Sequence, residues 1–286
     1  MKKNHNFYLN LAFQLAEKNL GLTKQNPSVG CIVVKNDTVI STGVTSINGR
    51  PHSEYNALKN LKNCQGATLY TTLEPCTHFG KTPPCVDIIT RKKIKNVFYA
   101  FEDPDTRTFK KAKKILNKKD IKNKLIKTKN FSKFYKGYYI NKKGEIPYIS
   151  AKIALSEDYL TINKKSKWIT NSFSRKAVHL LRYKYDCILS TSKSINYDNS
   201  LLNCRINGLE KHKSALFIVD LKLRLKKNLS LNSLLKNRKT YLITLRENFK
   251  KSKNYKKIGF RIILINSLKN KEDFEKLNKK IYKLGY

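Results

Sequence analysis

Apolar positions recur at helical spacing at Phe7, Leu11, Leu15 and Ala16, and Gly21 is placed to stop that first helix. Two strand-like runs follow, Val29 to Val34 and Thr38 to Val44, joined at the turn pair Asn36-Asp37. The pattern then predicts a helix from Ser53 to about Leu61, with Tyr55, Leu58 and Leu61 available to face a core, and a strand from Ala67 to Leu73. Pro83-Pro84 suit the first turn of a helix, so Cys85 opens one that continues through Ile88 and Ile89. Strand Val97 to Phe101, a helix from about Thr106 to Leu116 and an apolar run from Ile121 to Ile126 complete a pattern that predicts a three-layer α/β/α sheet domain. Between Phe131 and Gly144 the periodicity breaks into an aromatic- and lysine-rich connector, which sets a boundary between domains 1–145 and 146–286.

The second half repeats the alternation without repeating the sequence. Pro147 to Ala154 reads as a strand, and Ser172 to Tyr185 as a helix. Strands are predicted at Cys187 to Ser190, Ala215 to Asp220, Thr240 to Thr244 and Arg261 to Ile265, with a helix from about Glu272 to Leu284. This is a second α/β unit, and a chain of 286 residues is long enough for both cores.

Charge changes this picture less than its size suggests. The formal net charge is +40, which ordinarily points to nucleic acid or an anionic surface. Yet only 10 of the 60 basic residues are arginine, the better reader of phosphates and base edges. Lysine, Asn, Ile, Tyr and Phe share AT-rich codons, so base composition accounts for the excess, and no specific nucleic-acid partner is expected. No apolar run is long enough to cross a bilayer, and the start Met1-Lys2-Lys3-Asn4-His5 leads into an amphipathic stretch rather than a signal-peptide core. Six cysteines in a chain of this length do not form a secreted disulfide framework. A cytoplasmic protein is expected, with Cys31, Cys64, Cys187 and Cys204 structural.

Cys76 and Cys85 stand apart from these. His52-Ser53-Glu54, Pro75-Cys76 and Pro83-Pro84-Cys85 supply one histidine and two thiols, the three protein ligands of a catalytic zinc that keeps a fourth position for water. Zinc brings such a water to a pKa of roughly 7. Glu54, two residues beyond the histidine, is placed to take the water's proton and hand it to a departing amine. Taken singly, a His-x-Glu or a pair of cysteines is commonplace, and free cysteines are usually small core residues. Proline-flanked cysteines at a strand end and a helix start are poor packing sequences and good ligand-presenting ones. His-x-Glu with Pro-Cys-x-x-Cys is the signature of zinc nucleobase deaminases, and the chain departs from it in spacing: the second cysteine comes nine positions after the first.

That long loop, Pro75-Cys76-Thr77-His78-Phe79-Gly80-Lys81-Thr82-Pro83-Pro84-Cys85, together with Asn26-Pro27-Ser28-Val29-Gly30, resembles the deaminase half of the bifunctional pyrimidine deaminase/reductase of riboflavin biosynthesis. The resemblance implies a cytidine-deaminase-like first domain holding one Zn2+ per chain. It implies a phosphorylated pyrimidine substrate, 2,5-diamino-6-(5-phosphoribosylamino)pyrimidin-4-one, with Asn26, His78, Lys81 and Thr82 on the substrate side. The second half resembles the family's reductase, an α/β fold related to dihydrofolate reductase that uses NADPH to reduce the ribosyl chain to ribityl. There the resemblance places Ala154, Trp168, Ser194 and Asp198 at the cofactor, and Ser166, Arg182, Leu202 and Arg205 at the substrate. It leaves homo-oligomers open.

The second half also departs from the family. Asn199-Ser200 follow Asp198 where Asp-Pro is usual, and Ser156-Glu157-Asp158-Tyr159 replaces Ser-x-Asp-Gly. After residue 145 the glycines are the isolated Gly208, Gly259 and Gly285, with no glycine-rich loop to cradle a pyrophosphate. In the family that loop follows a strand near the C-terminus, so the reductase domain is expected to be shortened and its activity weak or absent. Two rival readings are a cytidine- or tRNA-adenosine-type deaminase, opposed by the long cysteine loop, and a non-enzymatic RNA- or membrane-surface-binding protein. Glu54 opposes the latter, because a structural zinc needs no proton carrier.

Overall fold

The computed structural model describes residues 4–128, 131, 133–161, 168–211 and 213–286, which divide into two units, up to Tyr148 and from Ile149. In the first, strands β1 (Gly30–Lys35) and β2 (Thr38–Val44) form the expected hairpin, with Asn36 and Asp37 both at positive φ. β1 also pairs antiparallel with β3 (Thr68–Leu73), which pairs in parallel with β4 (Asn96–Phe101), and β4 with β5 (Lys122–Leu125). The sheet order is therefore β2-β1-β3-β4-β5.

Strand alternation divides the apolar residues between two faces. Cys31, Val33, Leu69, Val97 and Tyr99 pack on one side against α2 (Ser53–Leu58), α3 (Cys85–Arg91) and α4 (Lys111–Asn117). Ile32, Val34, Tyr70 and Ala100 pack on the other, where Leu9, Ala12 and Phe13 of α1 (His5–Lys18) lie. Two glycines make these layers fit. A Cβ on Gly30 would sit 1.8 Å from the Ala12 carbonyl oxygen, and one on Gly43 would sit 2.1 Å from that of Ser53. The second contact matters most, because it seats the N-terminus of α2 directly on β2.

The periodicity misjudged several pieces. Helix α2 stops at Leu58, and its buried residues are Ser53, Glu54, Ala57 and Leu58, while Tyr55 is 43% exposed. Helix α4 begins at Lys111 rather than near Thr106, because Lys110 is left-handed (φ 57°) and the buried Glu74 carboxylate accepts from the N–H groups of Lys110 and Ala112, each at 3.1 Å. The connector contains a helix, α5 (Lys136–Gly144), and just before it Tyr135 is buried, accepting from the Thr72 hydroxyl at 2.6 Å and donating to the Ser28 carbonyl at 3.0 Å.

In the second unit, β6 (Cys187–Thr191), β7 (Ala215–Val219), β8 (Thr240–Leu245) and β9 (Arg261–Ile265) form a four-stranded parallel sheet in that order. Leu216, Ile218 and Leu242 face one core, and Ala215, Phe217, Tyr241 and Ile243 face the other. The helices are α6 (Ser172–Lys184), α7 (Ser192–Asp198), α8 (Phe249–Lys257) and α9 (Lys271–Lys283); α7 and α8 have no counterpart in the sequence reading. Pro147 to Ala154 is not a strand. Its alternation is strand-like, but no ladder forms on it and Ile149 and Ile153 stay 63% and 68% exposed. All six cysteines are free; Cys31, Cys64 and Cys204 are buried and Cys187 half-buried.

Candidate zinc centre and its pocket

Three chain segments meet at the C-terminal ends of the central strands. His52 is the N-cap of α2, Cys76 lies in the loop after β3, and Cys85 is the first residue of α3. His52 Nδ1 stands 3.5 Å from the Sγ of Cys76 and 3.5 Å from that of Cys85, and the three candidate ligand atoms all lie within 4.8 Å of one another. The backbone N–H of Cys85 donates to Cys76 Sγ at 3.2 Å, and the N–H of Val86 to the Cys76 carbonyl at 3.3 Å. The opening turn of α3 thus fixes both cysteines.

The electrostatics suit a cation. The hydrogen bond from the Cys85 thiol, aided by His52, brings the Cys76 thiol down to about 4 despite burial. The same contact, with burial and the Glu54 charge, raises Cys85. Burial opposes the charged form of His52, but Cys76 and Glu54 outweigh it and raise its pKa. Such a set, two sulfurs and one imidazole with a thiolate already favoured, fits a tetrahedral zinc with one position left open. Glu54 is 4% exposed, and burial raises its pKa, with the Cys76 charge adding to the effect. Its Oε2 accepts from Ser53 Oγ at 2.9 Å, which orients the carboxylate.

The pocket over this centre takes in Asn26 and His78 from the sequence reading. The Asn26 amide donates to the Gly49 carbonyl at 3.0 Å, and His78 Nδ1 pairs with Thr108 Oγ1 at 3.1 Å. Burial, and then the Arg107 charge, lowers the His78 pKa. Thr82 Oγ1 accepts from Arg50 at 2.7 Å, but neither Thr82 nor the exposed Lys81 is among the residues that line the pocket.

Sequence reasoning missed Arg50, Glu74, Asp103, Asp105, Arg107, Tyr138 and Lys142, all of which line the pocket. Asp103 accepts from the Tyr138 hydroxyl at 2.9 Å, and burial carries its pKa up to about 6. Asp105 is paired with Arg107 at 2.6 Å and Lys142 at 3.2 Å; the Arg107 contact is the first cause that holds its carboxyl well below the usual range. An Asp-Pro-Asp run just past a strand end was the available signal for the two aspartates. Tyr138 and Lys142, one helical turn apart, carried none.

In the second unit Arg182, Leu202 and Arg205 converge on one loop. Arg182 donates to the Asn203 carbonyl at 3.3 Å, Arg205 to Asn203 Oδ1 at 3.1 Å, and the buried Arg238 to the carbonyls of Leu201 and Leu202 at 2.6 and 2.7 Å. Ser194 lies in the first turn of α7 and Asp198 closes it, both exposed. Trp168 is 54% exposed with the Arg175 guanidinium 4.6 Å over its ring, and Ala154 lies in the unpaired segment before it. Ser166 falls outside the described residues. Gly208, Gly259 and Gly285 are at positive φ in turns, and none opens a helix.

A three-layer sheet carrying a buried His/Cys/Cys set and a glutamate, followed by a second α/β unit, defines a zinc-dependent deaminase joined to a reductase domain. Residues 2–101 match the cytidine and deoxycytidylate deaminase zinc-binding region, and residues 147–283 the RibD C-terminal domain. Riboflavin biosynthesis protein RibD of Aquifex aeolicus is 34% identical over 275 residues, covering 94% of this chain and 76% of that protein. The chain belongs to the RibD family. RibD of Buchnera aphidicola subsp. Baizongia pistaciae is 40% identical over 203 residues, 70% of this chain but 55% of that protein's length. Among solved structures, Acinetobacter baumannii RibD superimposes with a TM-score of 0.84 at 27% identity, covering 99% of this chain and 78% of that one. A Thermotoga maritima diaminohydroxyphosphoribosylaminopyrimidine deaminase/5-amino-6-(5-phosphoribosylamino)uracil reductase gives 0.82 at 26% identity, with 98% and 78% covered. The RibD C-terminal domain implies NADPH as the second cofactor. No helix among the described residues is long and apolar enough to cross a membrane.

Proposed function

We propose that the first unit hydrolyses the 2-amino group of 2,5-diamino-6-(5-phosphoribosylamino)pyrimidin-4-one, giving 5-amino-6-(5-phosphoribosylamino)uracil and ammonia, and that the second unit, which has no glycine-rich loop, reduces the ribosyl chain to ribityl with NADPH weakly or not at all. The observation that carries this is a buried Glu54 next to a His52, Cys76 and Cys85 set, in a chain with a RibD C-terminal domain. When bound by those three side chains, zinc acts as a Lewis acid and acidifies water toward neutrality. Glu54 takes the water's proton and delivers it to the departing amine. Its raised pKa lets it hold that proton between the two transfers. Ser53 keeps the carboxylate turned to the reacting face. Asp103, Asp105 and Asn26 present the polar edge that a pyrimidine needs.

In the second unit we assign the Arg182 and Arg205 cluster to a substrate phosphate, since a guanidinium fork matches it. Catalysis in the cytoplasm suits six free cysteines and a nicotinamide reductant. Ammonia release from the diaminopyrimidine and from cytidine, with zinc measured on the same sample, tests the first reading. Turnover confined to the diaminopyrimidine is expected; preference for cytidine would displace it. NADPH oxidation with the deaminated product tests the second.

A further inference from the structure

We propose that Arg50 recognises the phosphate of the substrate at the mouth of the deaminase pocket, a refinement that rests on the phosphorylated-pyrimidine reading above. Among the described residues the pocket is lined by three arginine or lysine side chains: Arg50, Arg107 and Lys142. Arg107 and Lys142 are both spent on Asp105, at 2.6 and 3.2 Å. Arg50 makes no such pair. Its Nη1 donates to Thr82 Oγ1 at 2.7 Å and lies 3.2 Å from His52 Nε2, and it stands 3.6 Å from where a Cβ on Gly80 would be through Nη2.

The approach to His52 gives the guanidinium no lasting partner. Nδ1 is the nitrogen that faces the two sulfurs, so a metal there leaves the ring proton on Nε2. A guanidinium has five N–H donors and no acceptor, and cannot bond to another N–H. Thr82 then uses one donor and the rest of the fork is left to the pocket. A half-buried cation beside a metal site is unfavourable until an anion joins it, and the planar fork fits a phosphate bidentately. The backbone that presents Arg50 is held on both sides. The Asn26 amide donates to the Gly49 carbonyl at 3.0 Å, and the Ser46 N–H donates to the Pro51 carbonyl at 3.0 Å. Arg50 thus joins Thr82 and His78 around one loop, on a different segment of chain from either.

The test is calorimetric titration of inorganic phosphate into the zinc-loaded full chain, as wild type, Arg50→Gln and Arg50→Lys, with zinc content and melting temperature recorded for each. Phosphate affinity should fall about 10- to 100-fold in Arg50→Gln, and Arg50→Lys should recover part of it, keeping the charge without the fork. On substrate, Arg50→Gln should lose roughly tenfold more kcat/KM for the phosphorylated pyrimidine than for the same compound without its phosphate. Absence of phosphate binding by the wild type, or equal binding by wild type and Arg50→Gln, overturns the assignment. Should Arg50→Gln fail to fold or lose zinc, the lysine variant decides: a folded Arg50→Lys that binds phosphate as tightly as wild type also overturns it. Arg50-dependent phosphate binding by a chain that leaves the diaminopyrimidine untouched would uphold this assignment and count against the proposed substrate alone.

Discussion

The Cys85 backbone N–H donates to the Cys76 sulfur at 3.2 Å, so the residue that offers one thiol also stabilises the charge on the other. Both sulfurs are therefore set by a single helix turn, while the histidine and glutamate come from another, the start of α2. The division has a consequence for mutagenesis: ligation and proton transfer are separable.

On the proposed mechanism Glu54 carries the proton and His52, Cys76 and Cys85 hold the metal. Replacing Glu54 by Gln should leave one zinc per chain and lower deamination by a factor of about 10^2 to 10^4. Cys76→Ser and Cys85→Ser should lose the metal itself. Metal analysis beside an ammonia assay reads both, and a Glu54→Gln protein with full zinc and wild-type turnover would sink the assignment.

Asp103 carries a pH signature. Its carboxyl is raised to about 6 by burial, against hydrogen bonds from the Asp105 N–H and the Tyr138 hydroxyl, with Asp105 and Glu74 adding negative charge. A carboxyl whose folded pKa exceeds its unfolded value of ~4 binds its proton more tightly when folded. That contribution is complete below about pH 4 and is lost as pH rises through about 6. Asp103→Asn cannot ionise, so its stability relative to wild type should climb across that window by about 3 kcal/mol and then level off. Thermal melts from pH 4 to 8 provide the comparison; parallel curves for the two proteins would show that burial does not penalise this carboxylate.

Much of this site could be read from the sequence because the signals are local. His-x-Glu, the proline-flanked cysteines and the hairpin turn at Asn36-Asp37 each occupy a few adjacent residues, and β1, β3 and β4 show the short, largely apolar runs that strands buried on both faces require. Helix α5 could not be read in that way. It is rich in lysine and tyrosine, has no buried residue of its own within Lys136–Gly144, and is held by distant partners: Tyr138 to Asp103, Tyr139 to the Glu102 carbonyl and Lys142 to Asp105. Arg50 was illegible for the same reason, since its side-chain partner Thr82 comes from a loop far away in sequence. The opposite error occurred at Pro147 to Ala154, where strand alternation is present and no neighbouring ladder completes it.

Gly43 tests how tightly fold and chemistry are linked. A Cβ there would lie 2.1 Å from the Ser53 carbonyl oxygen and 2.6 Å from the Ala57 nitrogen, both backbone atoms of α2. The helix must shift outward to accept it, taking His52 and Glu54 with it. Gly43→Ala should therefore destabilise the protein by roughly 1–3 kcal/mol, as overpacking does, and weaken zinc retention, although residue 43 touches no ligand. Melting temperature and zinc content after dialysis against a weak chelator are the measurements, and an unchanged value of both would mean that α2 has slack the close approach does not suggest.

The net charge of +40 makes the last prediction, which concerns what the protein should not do selectively. Its lysines decorate solvated faces: on α8, Lys250, Lys251, Lys253, Lys256 and Lys257 are exposed while Ser252 and Tyr255 turn inward. Lysine is a mobile point charge, suited to neutralising phosphates in bulk and poorly suited to reading bases. Arginine, which could read them, is scarce, and Arg107 and Arg238 are already engaged within the fold by Asp105 and by backbone carbonyls. RNA binding should consequently be a counterion-release effect, with log affinity falling linearly as log salt rises and no preference between sequences. Filter binding of unrelated RNAs across a salt series measures this, and a complex that discriminates among them at physiological salt would mean that the charge serves recognition after all.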